Sequence, residues 1–118
     1  MKHIFVFGSN KAGIHGKGAA LYALKNYGAV YGQGFGLWGN SYAIPTKGYN
    51  LEPMEYDDIE LSIREFLNFA EVNPDMIFEF TPVGCGLAGH DPKRVLHTLK
   101  FYGCSGNVLL SNSWLEYV

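Results

Sequence analysis

Three polar side chains lie in or beside glycine-rich segments of this sequence, where they could handle a proton: Asn10, His15 and Asp91. The Asn10 amide can both donate to and accept from hydroxyl groups. Histidine titrates near neutral pH, so His15 could act as a general base or bind phosphate. The alternative for His15 is an exposed loop residue without a role. Asp91 could activate a water molecule, or it caps the helix that Pro92 begins.

The first glycine-rich segment follows an apolar run and precedes a run of good helix formers. Ile4–Phe7 is too short for a helix and predicts a buried strand, whereas a helix is expected over 17–27. A strand, a glycine loop and a helix together aim backbone N–H groups and the positive end of a helix dipole at one point, where a phosphate could sit. The ligand-binding residues expected here are Gly8, Ser9, Asn10, Gly16, Lys17, Gly18 and Ala19.

The second glycine-rich segment follows a strand predicted over Met76–Phe80 and precedes a helix predicted over 92–101. Two such loops could each hold one phosphate of a diphosphate. The first loop lacks the GxGxxG spacing of dinucleotide-binding folds, and no Lys-Ser or Lys-Thr follows it to complete a P-loop. The ligand-binding residues expected in the second loop are Gly84, Cys85, Gly86, Leu87, Ala88 and Gly89.

The order of the elements predicts an α/β fold. Ser41–Ile44 and Asn107–Ser111 are predicted as further strands, and apolar residues at helical spacing predict a helix over Glu55–Val72. Alternating strands and helices are typical of a mostly parallel sheet with helices on both faces. We therefore expect a compact three-layer α/β/α domain with at least four strands in the order 4-3-1-2. If strands one and three are neighbours, both loops face one crevice at the carboxyl ends of the strands.

Residues 28–40 interleave glycine with aromatic residues, and two interpretations remain open. The segment forms a long surface loop, or Tyr31, Phe35 or Trp38 covers an adenine or a ribose as one wall of a pocket. The last residues, 114–118, are expected to form a short tail.

Length and composition predict a single globular domain over residues 1–118. The net charge of −2 argues against broad binding to nucleic acid or to an anionic membrane, and leaves room for a small positive pocket. Cys85 and Cys104 have no metal or redox spacing, so they are expected to be small buried residues in a reducing compartment. Without a signal-peptide pattern or a membrane-spanning run, we expect a cytoplasmic protein that needs no metal or cofactor.

Both glycine loops resemble those of a known family. Phe7–Asn10 followed by Gly16–Ala20 is similar to the first half of a macrodomain, where an Asn at the end of a strand precedes a glycine loop and a helix. Val83–Gly89 is similar to the second phosphate loop of that family, in the branch that includes terminal ADP-ribose glycohydrolases. The resemblance covers about residues 5–99. It implies a fold that binds ADP-ribose or a related nucleotide, with the second loop around the diphosphate and distal ribose, and Asn10 against that ribose.

The sequence departs from that branch at its catalytic positions. The branch has an Asp directly after the Cys-Gly-Leu triplet, where this chain has Ala88, so Asp91 would have to serve instead. The resemblance also implies an essential Lys on the first helix, at or next to Leu24 and Lys25.

We therefore expect ADP-ribose or a related nucleotide diphosphate to bind between the two loops. As an enzyme, the protein would hydrolyse an ADP-ribosyl linkage or remove a terminal phosphate from ADP-ribose phosphate, with loop amides stabilising anionic oxygens and Asn10, His15 or Asp91 handling a water. The alternative is a non-catalytic protein that reads ADP-ribosylated macromolecules or sequesters a soluble nucleotide signal. A third interpretation is an RNA module that stacks bases on residues 31–38, against which the acidic balance counts.

Overall fold

The longest strand of the chain begins at Lys2, and its residues from Ile4 to Phe7 are all buried. The structure is a computed structural model and describes residues 1–117. Its elements are β1 (Lys2–Asn10), α1 (Gly18–Asn26), β2 (Gly36–Trp38), β3 (Ser41–Lys47), α2 (Tyr56–Glu71), β4 (Met76–Phe80), α3 (Pro92–Tyr102), β5 (Val108–Leu110) and a 3-10 helix (Asn112–Tyr117).

The five strands form one mixed sheet in the order β2-β3-β1-β4-β5. β1 pairs in parallel with β3 on one side and with β4 on the other, and β5 continues the parallel set beyond β4. Only β2 runs antiparallel, against β3. The carboxyl ends of β1 and β4, from which the two glycine-rich loops leave, are therefore neighbours at one edge of the sheet. The prediction of a mostly parallel α/β fold is confirmed.

Alternate residues of β1 point into two different layers of the core. Ile4 and Val6 belong to a large apolar cluster with α2 and α3. Phe5 and Phe7 pack on the other side, with Ala20 and Ala23 of α1. Helices thus cover both faces of the sheet, and burial on two sides explains why β1 is an uninterrupted apolar run.

The helix over Tyr56–Glu71 matches the predicted periodic segment, because its buried residues all come from one face. The helix at Pro92 begins as predicted, and the Asp91 carboxylate accepts a hydrogen bond of 2.9 Å from the Lys93 N–H. The tail prediction for residues 114–118 is wrong within the described residues. Trp114 is buried and stacks on Phe80 at 6.4 Å between ring centroids, which fixes the 3-10 helix against the core.

For the segment 28–40, the interpretation as a surface loop is largely confirmed and the interpretation as a pocket wall is wrong. Most of the segment is irregular and exposed, and it contains the short strand β2. Within the described residues, none of its members lines the cavity at the carboxyl ends of the strands. Its backbone packs closely on the first glycine-rich loop: a Cβ at Gly34 would collide with the Asn10 carbonyl oxygen, and a Cβ at Gly13 of that loop would collide with the backbone of Gly32. The segment therefore packs against the first glycine-rich loop without lining the cavity.

No helix within residues 1–117 has both the length and the apolar character needed to cross a membrane. The prediction for the cysteines is wrong for Cys104, which is exposed, whereas Cys85 is half-buried. Both are free thiols.

Candidate ligand-binding site

A cavity of about 930 Å³ opens at the carboxyl ends of the parallel strands. Loop 1 (residues 11–17) and loop 2 (residues 81–91) lie on either side of it, and the segment after β5 adds Ser111 and Ser113. Convergence of the two loops on one cavity follows from the pairing of β1 with β4. The predicted ligand-binding residues that line it are Gly8, Ser9, Asn10, Gly16, Lys17, Gly18, Ala19, Gly84, Gly86, Leu87 and Ala88.

Loop 1 is held in shape by the side chain of Asn10. The Asn10 Nδ2 donates to the Ile14 carbonyl oxygen at 2.8 Å, and its Oδ1 accepts from the Ile14 N–H at 2.9 Å. The Gly13 N–H donates to the Asn10 carbonyl oxygen at 3.0 Å. Both polar atoms of this buried amide are thus engaged within the loop, so Asn10 positions loop 1 at the border of the cavity.

His15 lies outside the cavity that loop 1 borders. Its side chain is buried, its Nε2 lies 3.1 Å from the Gln33 carbonyl oxygen, and its ring packs edge-on against Phe7 at 5.5 Å. The interpretation as an exposed loop residue is wrong, because the segment 28–40 covers this ring. His15 anchors loop 1 to the core, and we assign it no catalytic role.

Asp91 is also outside the cavity, where its carboxylate caps α3. Of the two roles considered for Asp91, the structure assigns the cap. Cys85 and Gly89 do not line the cavity either, and neither do Leu24 and Lys25 of α1. Burial and the nearby Asp91 carboxylate raise the pKa of the Cys85 thiol to about 11, so this thiol is protonated at neutral pH.

Backbone N–H groups are the main hydrogen-bond donors that the two loops offer. In loop 2, no backbone carbonyl of residues 1–117 accepts from the N–H of Gly84, Gly86, Leu87 or Ala88. At the other wall, α1 begins at Gly18 without a side-chain cap, so its first-turn N–H groups lack intrahelical partners. The four loop residues, and Gly18 and Ala19 of the first turn of α1, were predicted as ligand contacts. Ala20 of the same turn was not predicted, and it also lines the cavity.

The charged side chains of the cavity are separated by sign. Lys17 and Lys47 lie at the end formed by loop 1 and β3. Glu79 and Glu116 lie at the end formed by β4 and the 3-10 helix. There the Glu79 Oε1 atom lies 2.9 Å from the His3 Nε2 atom. An anionic group is therefore favoured near the lysines and the amides, and a neutral group with N–H or O–H donors near the glutamates.

Several lining residues were missed in the sequence. Phe5 and Tyr22 contribute aromatic rings 5.4 Å apart between centroids, on the α1 face of the sheet. The polar residues after β5 could have been found from the rule applied to the loops, because they too follow the carboxyl end of a parallel strand. Phe5 gave no such signal, since in the sequence it is one more residue of a buried strand.

Comparison with models of protein families finds no match, and comparison with curated proteins finds none. Among solved structures, the chain is similar to a protein of unknown function from Bacteroides thetaiotaomicron, with a TM-score of 0.62 and 19% sequence identity. The similarity covers 92% of this chain and 85% of that chain. At this identity the match shows a shared α/β fold.

Proposed function

We propose that this protein is a macrodomain-like module that binds ADP-ribose, or a related nucleotide diphosphate, in the cavity between loop 1 and loop 2. The observation that carries the proposal is that two segments with unpaired backbone N–H groups line one cavity: Gly84, Gly86, Leu87 and Ala88 in loop 2, and the start of α1. Two sets of N–H donors beside one cavity suit two adjacent phosphates. Lys17 and Lys47 add positive charge at the same end.

The nucleoside occupies the glutamate end in this proposal. Tyr22, which packs against the buried Phe5, supplies exposed aromatic ring surface there, and Glu79 and Glu116 supply acceptors for hydroxyl or amino groups. Phosphates at that end would meet two carboxylates at close range, which is unfavourable. The diphosphate is therefore expected between the loops, with the nucleoside toward β5.

Binding without turnover is the better supported form of this function. Asn10 is engaged in shaping loop 1, His15 is buried outside the cavity, and Asp91 caps α3. At position 88, where the resemblance implies a catalytic carboxylate, the side chain is a methyl group. A reader of ADP-ribosylated macromolecules, or a protein that sequesters a free nucleotide in the cytoplasm, needs none of these groups for chemistry.

Filling the cavity from loop 2 tests the proposal. A Cβ at Gly86 meets no atom within 4 Å and its φ is not positive, so Gly86→Leu places a side chain in the cavity without disturbing the fold. We expect calorimetry to show ADP-ribose binding by the native chain, weakened about 100-fold or more by this variant because the leucine occupies the diphosphate position.

Gly106→Leu is the matched control, because Gly106 is equally open, has no positive φ and lies outside the cavity. It should leave the affinity unchanged. Equal affinities of both variants for ADP-ribose would contradict the proposed site. Release of ADP-ribose from an ADP-ribosylated peptide, or of phosphate from ADP-ribose phosphate, would contradict binding without turnover.

A further inference from the structure

His15 is a buried titratable group with one ring nitrogen left unpaired. Its side chain is 1% exposed, and its Nε2 atom lies 3.1 Å from the Gln33 carbonyl oxygen. A carbonyl oxygen can only accept a hydrogen bond, so the hydrogen of the neutral imidazole is on Nε2. Within residues 1–117, the buried Nδ1 atom has no hydrogen-bond partner. The site therefore fits the neutral ring and has no acceptor for a second ring proton.

The neighbours of the ring do not compensate a positive charge. The ring packs edge-on against Phe7 at 5.5 Å and against Tyr31 at 6.4 Å between ring centroids. Tyr31 is the titratable group among these neighbours, and a phenol is neutral at neutral and acidic pH. Within the described residues no carboxylate forms an ion pair with His15, and the charged side chains of loop 1 itself, Lys11 and Lys17, are cationic. Protonation in place would thus bury a charge and leave its N–H donor unpaired.

The His15 ring fixes the part of loop 1 that leads into α1. Between Ile14 and Gly18, where α1 begins, His15 is the one buried residue. Gly16 and Lys17 directly follow it, are exposed and line the cavity. If the ring leaves its site, these two residues lose the side chain that ties them to the core, and the cavity wall that they form changes.

We propose that His15 is a pH-sensitive anchor of loop 1: the neutral ring holds the loop in the shape that binds ligand, and the protonated ring leaves the core and releases the loop. The inference rests on the proposed function, which places the diphosphate between the two loops. Histidine in water takes up its proton at about pH 6.5, so acidification below that value favours the released loop. A ligand that needs the anchored loop then binds less tightly, because part of its binding energy goes into removing that proton. His15 is thus a positioning residue that regulates affinity.

The test measures the ADP-ribose affinity of the native chain by calorimetry at about pH 7.5 and about pH 5.5. ADP-ribose has no terminal phosphate, so its charge does not change over this range. We expect the dissociation constant to increase about fivefold or more on acidification.

His15→Gln keeps a side-chain N–H for the Gln33 carbonyl oxygen but cannot take up a proton, so it should show less than about half of that increase. His97→Gln, at an exposed histidine of α3, is the matched control and should show the full increase. His3 is paired with Glu79 and His90 belongs to loop 2, so the result is the difference between variants and not the absolute size of the increase.

A second measurement needs no ligand. Nitrogen NMR of the imidazole groups should show His15 as the Nε2–H tautomer at the higher pH. On acidification, the amide signals of Gly16 and Lys17 should shift together with the protonation of His15. His15→Phe keeps a ring in the core without a titratable nitrogen, so these two amide signals should stay in place. This variant also replaces His15→Gln in calorimetry if the glutamine variant does not fold.

Equal increases in the native chain and in the non-titrating variant would overturn the anchor, and so would no increase in the native chain. Amide signals of Gly16 and Lys17 that stay unchanged while His15 takes up a proton would overturn it as well. If the native chain binds no ADP-ribose at either pH, the proposed function fails, and the NMR titration still decides whether His15 controls loop 1.

Discussion

Asn10 shows how one side chain can shape a loop. Its side-chain oxygen accepts a hydrogen bond from the Ile14 N–H and its side-chain nitrogen donates to the Ile14 carbonyl oxygen, so one residue closes the five-residue segment from Asn10 to Ile14. An amide is suited to this because it carries a donor and an acceptor side by side. A carboxylate of the same shape has no donor for the Ile14 carbonyl.

Asn10→Asp is therefore expected to damage loop 1 although the two side chains have nearly the same size. The introduced carboxylate would face the Ile14 carbonyl oxygen and add a negative charge beside the proposed phosphate position. We expect a loss of about 1–3 kcal/mol in the free energy of unfolding, measured by urea titration, and a large loss of ADP-ribose affinity.

Asn68→Asp adds the same charge on the exposed surface of α2 and should leave affinity and stability close to those of the native chain. Full binding by Asn10→Asp would show that the loop does not depend on this amide.

At the scale of elements, α3 begins at a cap that the sequence predicts. Asp91 followed by Pro92 is typical of a helix start, and the Asp91 carboxylate does accept from the Lys93 N–H. Asp91→Ala should lower the free energy of unfolding by about 1 kcal/mol through loss of the cap and leave the ADP-ribose affinity unchanged. Calorimetric affinities and thermal unfolding of the same samples separate the two effects.

Asp75→Ala removes an exposed carboxylate from the connection between α2 and β4 and is the matched control. It should be neutral in both measurements. If the native chain has an enzyme activity that Asp91→Ala abolishes and Asp75→Ala does not, Asp91 has a catalytic role.

Local signals in the sequence predicted most elements because each depends on neighbours along the chain. The periodic apolar residues of α2, the apolar run in β1 and the Asp-Pro pair before α3 are of this kind. Both glycine loops were predictable for the same reason, since each follows a strand and precedes a helix.

Contacts between distant segments were not predictable. His15 looked exposed because nothing near it in the chain is apolar enough to bury it, and its partner Gln33 lies 18 residues away. The short strand β2 begins at Gly36 and is followed directly by Gly39, so its local sequence favours a loop. It is a strand because it pairs with β3. The positive φ of Leu51, 63°, in the turn after β3 is a dihedral angle that no sequence pattern indicates.

At the scale of the whole molecule, a ligand that binds only the folded chain must stabilise it. ADP-ribose at 100 times its dissociation constant should raise the free energy of unfolding by about 2.7 kcal/mol. For a chain of this length the melting temperature should rise by roughly 10 °C, with a further increase for each tenfold rise in concentration. Thermal unfolding over a concentration series measures both.

The Gly86→Leu variant should show no such increase, because its side chain occupies the cavity. Adenosine, which lacks phosphates, should stabilise the native chain far less than ADP-ribose. A similar increase with adenosine would place the main binding contribution at the glutamate end, beside Tyr22, and not at the loop amides.

The close backbone contact between Gly34 and Asn10 determines which substitutions can alter ligand affinity. Any larger residue at Gly34 would displace the end of β1 and, with it, the turn that Asn10 closes. Substitutions in the segment 28–40, which does not line the cavity, should therefore alter ligand affinity. A mutational survey restricted to cavity-lining positions would overlook them.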